Sequence, residues 1–355
     1  MAVRSALTKF LIVLVATAAT LAGAEYTLRK MGFRPAAIAG NDHFNPDSKW
    51  GWAAPDPDTG WRNKPVVAIS MEPGNVPMTF WEDGRRATRP DPAILPLPQM
   101  AVVGCSMTQG YGIIDEETFA WRISALVPGW DVENFGTGGY GAYQSLLRLR
   151  QIFASPQQKY KPQLVVYGYA HFHAFRDVAA HGWVVAFTNV KGEIFAPPNV
   201  VPVNGRLEEH EFRIFPMFYL ESESALVALA KKAWLRLLFF NRERYEEEVT
   251  RILLTEMNDL TRKNGARLLV LGLTRPTPAV EALAQSGAIE FADCPAFDPA
   301  LNLHDKSFLV GGIGHPNGKA HESWARCLAH WMNTQGKAPL AGPSAAAGVK
   351  SLAGK

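Results

Sequence analysis

From Met100 to Met332 short apolar runs alternate with stretches of helical spacing. Met100 to Val103 is a continuous apolar run that stops at Gly104, the pattern of a strand buried on both faces. Leu164 to Tyr167, which follows Lys161-Pro162, and Arg267 to Leu273 read the same way. Helical spacing covers Glu117 to Leu126, Tyr143 to Phe153 and Gly318 to Met332. Ala225 to Asn264 is mostly helical, with an interruption near Phe240-Asn241 and a stop at Asn264-Gly265. Strands alternating with helices predict an α/β fold, a parallel sheet covered on both faces. In such sheets ligands bind beyond the carboxyl ends of the strands, so the loops that follow strands are where chemistry is expected. Gly182 to about Pro216 breaks the alternation and reads as an insertion able to line a cleft.

The flanks follow different patterns. Arg4 and Lys9 precede an uncharged stretch, Phe10 to Ala24, that closes on Ala22-Gly23-Ala24. A basic flank, an apolar segment and a small-x-small end form the signature of a secretory signal. The stretch is shorter than the ~20 residues of a bilayer span, which favours cleavage after Ala24. The rival is an uncleaved membrane anchor, because Tyr26-Thr27-Leu28 prolongs the run over residues 10–28 and Arg29-Lys30 marks its boundary. Either reading sends the rest of the chain to the periplasm or cell envelope. Residues 25–97 are rich in Pro, Gly and Trp, with turn signals at Asp56-Pro57-Asp58, Glu72-Pro73-Gly74 and Arg89-Pro90-Asp91-Pro92. Trp50, Trp52, Trp61 and Trp81 are too many aromatics for a free linker, so this irregular extension is expected to pack on the main domain, residues 98–334. Residues 335–355 read as a disordered tail. There is no internal repeat.

Composition narrows the function classes. With 355 residues, 47% hydrophobic and 19% charged, the chain is too apolar to be disordered and long enough for a sizeable core. The formal net charge is +3 and no Lys/Arg run exceeds two, so the basic stripe of a nucleic-acid binder is absent. Three cysteines, Cys105, Cys294 and Cys327, permit at most one disulfide.

Two glycine-flanked loops carry candidate chemistry. Gly104-Cys105-Ser106-Met107-Thr108-Gln109-Gly110-Tyr111-Gly112 follows the first strand directly, which presents the Ser106 hydroxyl at the sheet rim with free N–H groups behind it. A serine needs a base to act as a nucleophile. Gly314-His315-Pro316-Asn317-Gly318 stands just before the last helix and holds His315 in an open loop.

Taken in order, these segments resemble the SGNH (GDSL-type) hydrolase family. Gly104-Cys105-Ser106 with Gly110-x-Gly112 is similar to its first block, and Asp115 to Phe119 to the continuation seen in envelope-type members. Asn134-Phe135-Gly136-Thr137-Gly138-Gly139, followed by Tyr140-Gly141 and Gln144, matches the second block, Asn-x-x-x-x-Gly. His315-Pro316-Asn317, with His321 beyond, matches the end of the fifth. The resemblance spans roughly Met100 to Trp331 and implies a flavodoxin-like three-layer sandwich with a central parallel sheet. It also implies Ser106 as nucleophile, His315 as general base, and an oxyanion hole from the Ser106 and Gly139 N–H groups plus a side-chain donor of the third block. It implies no cofactor.

The sequence departs from the family in three places. Cys105 stands where the family has Asp. The third block, Gly-x-Asn-Asp, is replaced by Gly168-Tyr169-Ala170-His171-Phe172-His173, so the third donor falls to His171 or His173. The family's Asp before the histidine is replaced by Gly312, with Ile313 next to it. Asp293, Asp298 or Asp305 is left to orient His315, with Asp305 preferred, or the pair works as a dyad with a backbone carbonyl. In an extended segment His171 and His173 share one side and could hold a cation together with His181 or His315, but no recognised metal spacing is present. Cys105 reads as a small core residue, and Trp183, Trp234 and Trp324 as core or cleft wall.

Two functions follow as expectations. One is an exported esterase or O-acyltransferase acting on a small-molecule, glycan or lipid-like ester. The other is a degenerate member of the same fold that binds a glycan or envelope partner without turnover.

Overall fold

The structure, a computed structural model, describes residues 2–36, 53–65, 67–69, 76–154, 160–188, 192–311 and 314–335. Trp50, Trp52 and the tail beyond Gln335 lie outside the described residues. Five strands form one parallel sheet: β1 (Gln99–Gly104), β2 (Asp131–Asn134), β3 (Pro162–Tyr169), β4 (Arg267–Gly272) and β5 (Glu290–Asp293). Their spatial order is β5-β4-β3-β1-β2. This is the doubly wound flavodoxin-like order, whose direction of winding reverses between the first and third strands.

Eleven α-helices are found among the described residues. α1 (Ala2–Lys30) leads the chain, and α2 (Ser106–Gln109), α3 (Phe119–Leu126), α4 (Ala142–Ala154), α5 (His173–Asp177) and α6 (His181–Ala186) follow. Then come α7 (Ala225–Leu238), α8 (Glu246–Lys263), α9 (Pro278–Gln285), α10 (Cys294–Phe297) and α11 (Gly318–Thr334). Successive strand side chains point to opposite faces. Ala101, Val103, Val165, Tyr167, Leu268 and Val270 pack with α4, α8 and α9, while Met100, Val102, Val166, Leu269 and Leu271 pack with α3 and α11. Both faces are covered, so the strands read as continuous apolar runs. The interruption expected near Phe240-Asn241 is a break at Asn241, whose φ of +51° ends the helical path between α7 and α8.

Two strands escape the sequence pattern. β2 reads Asp-Val-Glu-Asn yet is buried throughout. Val132 faces α3, whereas Asp131 and Glu133 on the other face meet arginines of the N-terminal extension. Arg85 pairs with Glu133, and Arg89 pairs with Asp131 at 2.9 Å and Glu133 at 2.8 Å. The extension is therefore a strap over the sheet edge where a helix would otherwise lie. The edge strand β5, Glu-Phe-Ala-Asp, is partly exposed and carries a carboxylate at each end. The insertion, residues 182–216, builds two antiparallel ladders, Ile194–Ala196 with Arg213–Phe215 and Asn199–Val203 with Arg206–His210.

Cys294 and Cys327 form a disulfide that ties α10 to α11, and Cys105 is free and buried. Closing a loop of 33 residues lowers the entropy of the unfolded chain by the equivalent of about 3–4 kcal/mol.

α1 runs without a break through Ala24 to Lys30. Its segment Ser5–Lys30, whose most apolar 18-residue stretch has a mean hydropathy of 1.9, is long and apolar enough to cross a membrane by length and composition, and that stretch is unburied. The end of α1 is clasped to the head of α7. The Glu25 carboxylate accepts the N–H groups of Ala225 and Leu226 and the hydroxyl of Ser224, all at 2.9 Å. Arg29 donates to the Glu223 carbonyl.

On the other side, His321 joins α11 to α3. Its Nδ1 accepts the Phe119 N–H at 3.1 Å, which places the ring proton on Nε2. Burial, and then the Arg86 and Arg122 charges, push its pKa down to about 3. The unfolded chain binds this proton near pH 6.5 and the native chain does not, so stability is intact above that pH and falls as the pH drops towards 3. Between pH 7.5 and pH 5 this group alone removes about 2 kcal/mol. His321→Asn, whose Oδ1 replaces the acceptor, is expected to flatten that pH dependence in urea melts, and an unchanged slope contradicts the assignment.

Candidate active site

The site lies at the switch point between β1 and β3. Gly104 and Gly168 are paired across the two strand ends. A Cβ on either would come 2.2 Å from Thr108 Oγ1, so two glycines make room for α2 to seat directly over the sheet rim. Gly104 also has φ +152°, a conformation that favours glycine. The turn this allows puts Ser106 at the first position of α2, with Cys105 as its N-cap, buried beneath. The first N–H groups of a helix have no intrahelical acceptor, which leaves the Ser106 N–H available to an anion.

The second loop is fastened to the first. Asn134 Nδ2 donates to the Thr108 carbonyl at 3.0 Å, and its Oδ1 accepts the Gly136 N–H at 2.9 Å. A Cβ at Gly136 would lie 2.6 Å from the Gln109 nitrogen. Thr137 N–H donates to the Gly104 carbonyl. Gly139 has φ +82°, and a Cβ there would meet Trp61 Cζ2 at 2.9 Å, so an indole of the extension is what stands closest to it. Trp61 Nε1 donates to the Gly138 carbonyl, and the Tyr140 hydroxyl returns a bond to the Trp61 carbonyl. Asn63 Nδ2 holds the Gly84 and Gly136 carbonyls, and Gln109 Nε2 donates to Asn63 Oδ1. The extension thus braces both loops from outside.

His315 arrives from the far end of the chain. Val310 N–H donates to the His315 carbonyl, and Asn317 Nδ2 donates to the carbonyls of Ser307 and Leu309. Asn317 Oδ1 then caps α11 at the N–H groups of Lys319 and Ala320. The pinned loop sets His315 Nε2 3.1 Å from Ser106 Oγ across a sequence separation of 209 residues. Ser106 is 8% exposed, and the His315 ring is half-buried against Tyr111, ring centroids 5.0 Å apart. A serine hydroxyl within hydrogen-bond reach of an imidazole nitrogen is the arrangement of a nucleophile and its base.

The two third-block histidines part company. The segment is a turn running into α5, not an extended stretch, so the shared side expected of His171 and His173 is lost. His173 is buried, its Nδ1 2.5 Å from the Tyr167 hydroxyl, and burial drives its pKa well below the ordinary histidine value. His171 is exposed at the strand ends, where its N–H donates to Thr274 Oγ1 and its Nδ1 lies 3.2 Å from the same oxygen. Partial burial, then nearby His304, lowers its pKa. Ala170 occupies the position of the family's Asn.

Of the three candidate carboxylates, Asp305 and Asp293 serve local turns and Asp298 reaches across to α11. Asp305 accepts the Ser307 N–H at 2.8 Å at the head of a short 3-10 turn, Lys306–Phe308. Asp298 accepts the Ser323 hydroxyl, and Asp293 the Ala296 N–H. Gly312 and Ile313 lie outside the described residues. Of the tryptophans, Trp324 is core, Trp234 packs on Phe215, and Trp183 packs on Phe187, which itself lies against Trp61. Sequence reasoning missed Tyr111, Thr274, Trp61 and Asn63. Of these, only Tyr111, lying between Gly110 and Gly112, had a local signal.

No family model matches the chain, and none of the curated proteins does. Among solved structures it is similar to TesA, with 15% identity and a TM-score of 0.38 over 66% of this chain and 98% of that one. It is similar to the psychrotrophic esterase EstA from Pseudoalteromonas sp., with 11% identity and a TM-score of 0.38 over 66% and 98% of the two chains. A third is a member of the lipolytic protein G-D-S-L family from Veillonella parvula, with 9% identity and a TM-score of 0.37 over 68% and 99%. The solved structures it is similar to thus include members of the family that its three sequence blocks resemble.

Proposed function

We propose that the chain is an exported ester hydrolase or O-acyltransferase, held at the membrane by α1, in which Ser106 is the nucleophile and His315 the general base. The observation that carries this reading is the 3.1 Å contact between Ser106 Oγ and His315 Nε2 at the switch point of the sheet. As Oγ attacks the ester carbonyl carbon, His315 Nε2 takes the hydroxyl proton, and the carbonyl π electrons move onto oxygen. The Ser106 N–H and the Gly139 N–H are the donors this reading assigns to that oxygen, and a single such donor is worth about 2.7–4 kcal/mol in the transition state. His171, the exposed third-block ring, is the better placed of the two histidines to add a third donor. His315 then passes its proton to the departing alkoxide, which leaves an acyl group on Ser106. Water, or the hydroxyl of an acceptor, attacks that acyl group with His315 again as base, and the proton passes to Ser106 Oγ as its bond to the acyl carbon breaks. Envelope glycan O-acyl groups and lipid-like acyl esters are the substrate classes that suit an enzyme outside the cytoplasm.

Export is supported by the Cys294–Cys327 disulfide, since such bonds persist in oxidising compartments. Retention of α1 is supported by the clasp at Glu25, the residue directly after the expected cleavage point. Cleavage there would create a cationic amino group beside the positive end of α7.

A fluorophosphonate probe tests the reading. Covalent labelling of the full-length protein that disappears in Ser106→Ala is expected. An unlabelled wild-type chain means that the fold binds its partner without turnover.

A further inference from the structure

The outward face of α7 is apolar. Lys231 and Leu235 are buried on its inner side, with Phe239 just past its end. Opposite them Leu226, which is half-buried, Ala230, Ala233 and Leu237 recur at intervals of four, three and four, one stripe along the helix, and Phe240 follows two residues past its end. Ala230 and Ala233 are exposed, and Leu237 and Phe240 are 74% and 69% exposed. Lys232 and Arg236 flank the stripe and are exposed too. A helix on a soluble domain turns its polar side outward, and an apolar outward stripe rimmed by cations marks a contact surface.

What covers the stripe is indicated by where α7 begins. Its first N–H groups are bound by Glu25, the residue at which the uncharged run of α1 ends. If α1 spans the bilayer, that residue sits at the membrane–water boundary, and the head of α7 sits there with it. We propose that α7 lies in the membrane interface beside α1, its Leu226–Leu237–Phe240 stripe among the upper acyl chains and Lys232 and Arg236 at the phosphates of anionic lipids. The catalytic domain then has two points of attachment and a fixed orientation over the surface. This inference rests on reading α1 as a retained anchor.

The test uses the full chain in nanodiscs of phosphatidylcholine and phosphatidylglycerol. Cys105 is buried and the other two cysteines are bonded to each other, so a single introduced cysteine takes the fluorophore. Leu237→Cys reports on the stripe, Leu14→Cys on α1, and Gln285→Cys, at the exposed end of α9, is the aqueous reference. Lipids quenching near the headgroup are expected to quench the label at 237 several-fold more than at 285, while deep quenchers act at 14. Quenching at 14 with 237 matching 285 overturns the seating of α7 and leaves the anchor standing. No quenching at 14 overturns the anchor reading whatever the other sites show. A label at 237 that is shielded without lipid quenching, in a particle of doubled protein mass, assigns the stripe to a second copy and overturns the proposal.

Discussion

Alanine at Ser106 is expected to lower turnover of a short-chain aryl ester by about four orders of magnitude, and alanine at His315 by a similar factor. In the proposed mechanism the two side chains act as one unit, because the imidazole has value only through the proton it takes from Oγ. The double variant is therefore expected to be no slower than either single one. On the proposed mechanism, residual activity above the uncatalysed rate is expected from the Ser106 and Gly139 N–H groups, which alanine at either position leaves in place. Ser106 is small and lies at a rim, so its alanine variant should melt within about 0.5 kcal/mol of wild type, which separates lost chemistry from lost fold. Multiplicative losses in the double variant contradict a shared mechanism. More than a tenth of wild-type activity in Ser106→Ala removes the serine from the reaction.

The two loops were legible in the sequence for a physical reason, whereas the pairing of Ser106 with His315 came from the family resemblance. A strand buried on both faces must read as an uninterrupted apolar run, and the turn beyond its carboxyl end must carry glycine where the backbone bends sharply or packs closely. Gly104 at φ +152° is such a place, so the position of Ser106 follows from local chemistry. His315 was legible because Gly314, Pro316 and Asn317 mark a loop end and a helix cap. What was not legible depends on tertiary partners. β2 looks like a polar loop until Arg85 and Arg89 neutralise its carboxylates, and those arginines lie some forty-odd residues upstream in a segment without periodicity. Trp61 and Asn63 reach the site only because the extension folds back over it. Three cysteines set a ceiling of one disulfide, but its pairing depended on where α10 meets α11. His171 and His173 were inseparable by spacing, and they parted when the chain turned into α5 instead of running straight.

The strap over the sheet edge should therefore be indispensable, and Arg86 is where its removal costs most. The side chain is fully buried. Its Nε pairs with Asp115 at 2.7 Å, its Nη1 donates to the Gly110 carbonyl and its Nη2 to that of Ile113. Its backbone N–H also donates to the Asn134 carbonyl. One residue of the extension thus holds the loop after Ser106 from three directions, and Tyr111, which packs on the His315 ring, lies inside that loop. Arg86→Ala leaves a carboxylate and two carbonyls short of donors around a new cavity, and breaking a buried ion pair in this way costs about 3–5 kcal/mol. Arg86→Lys keeps the charge, but an ammonium on a flexible stem cannot replace a planar fork serving three acceptors, so recovery of less than half the loss is expected. Because the loop carries Tyr111, Arg86→Lys is expected to lower kcat more than it raises KM for an aryl ester. Urea melts and steady-state kinetics on the same preparations check both. A loss below about 1 kcal/mol for Arg86→Ala, well under the cost of opening a buried ion pair, reduces the strap to a covering and removes it from the machinery of the site.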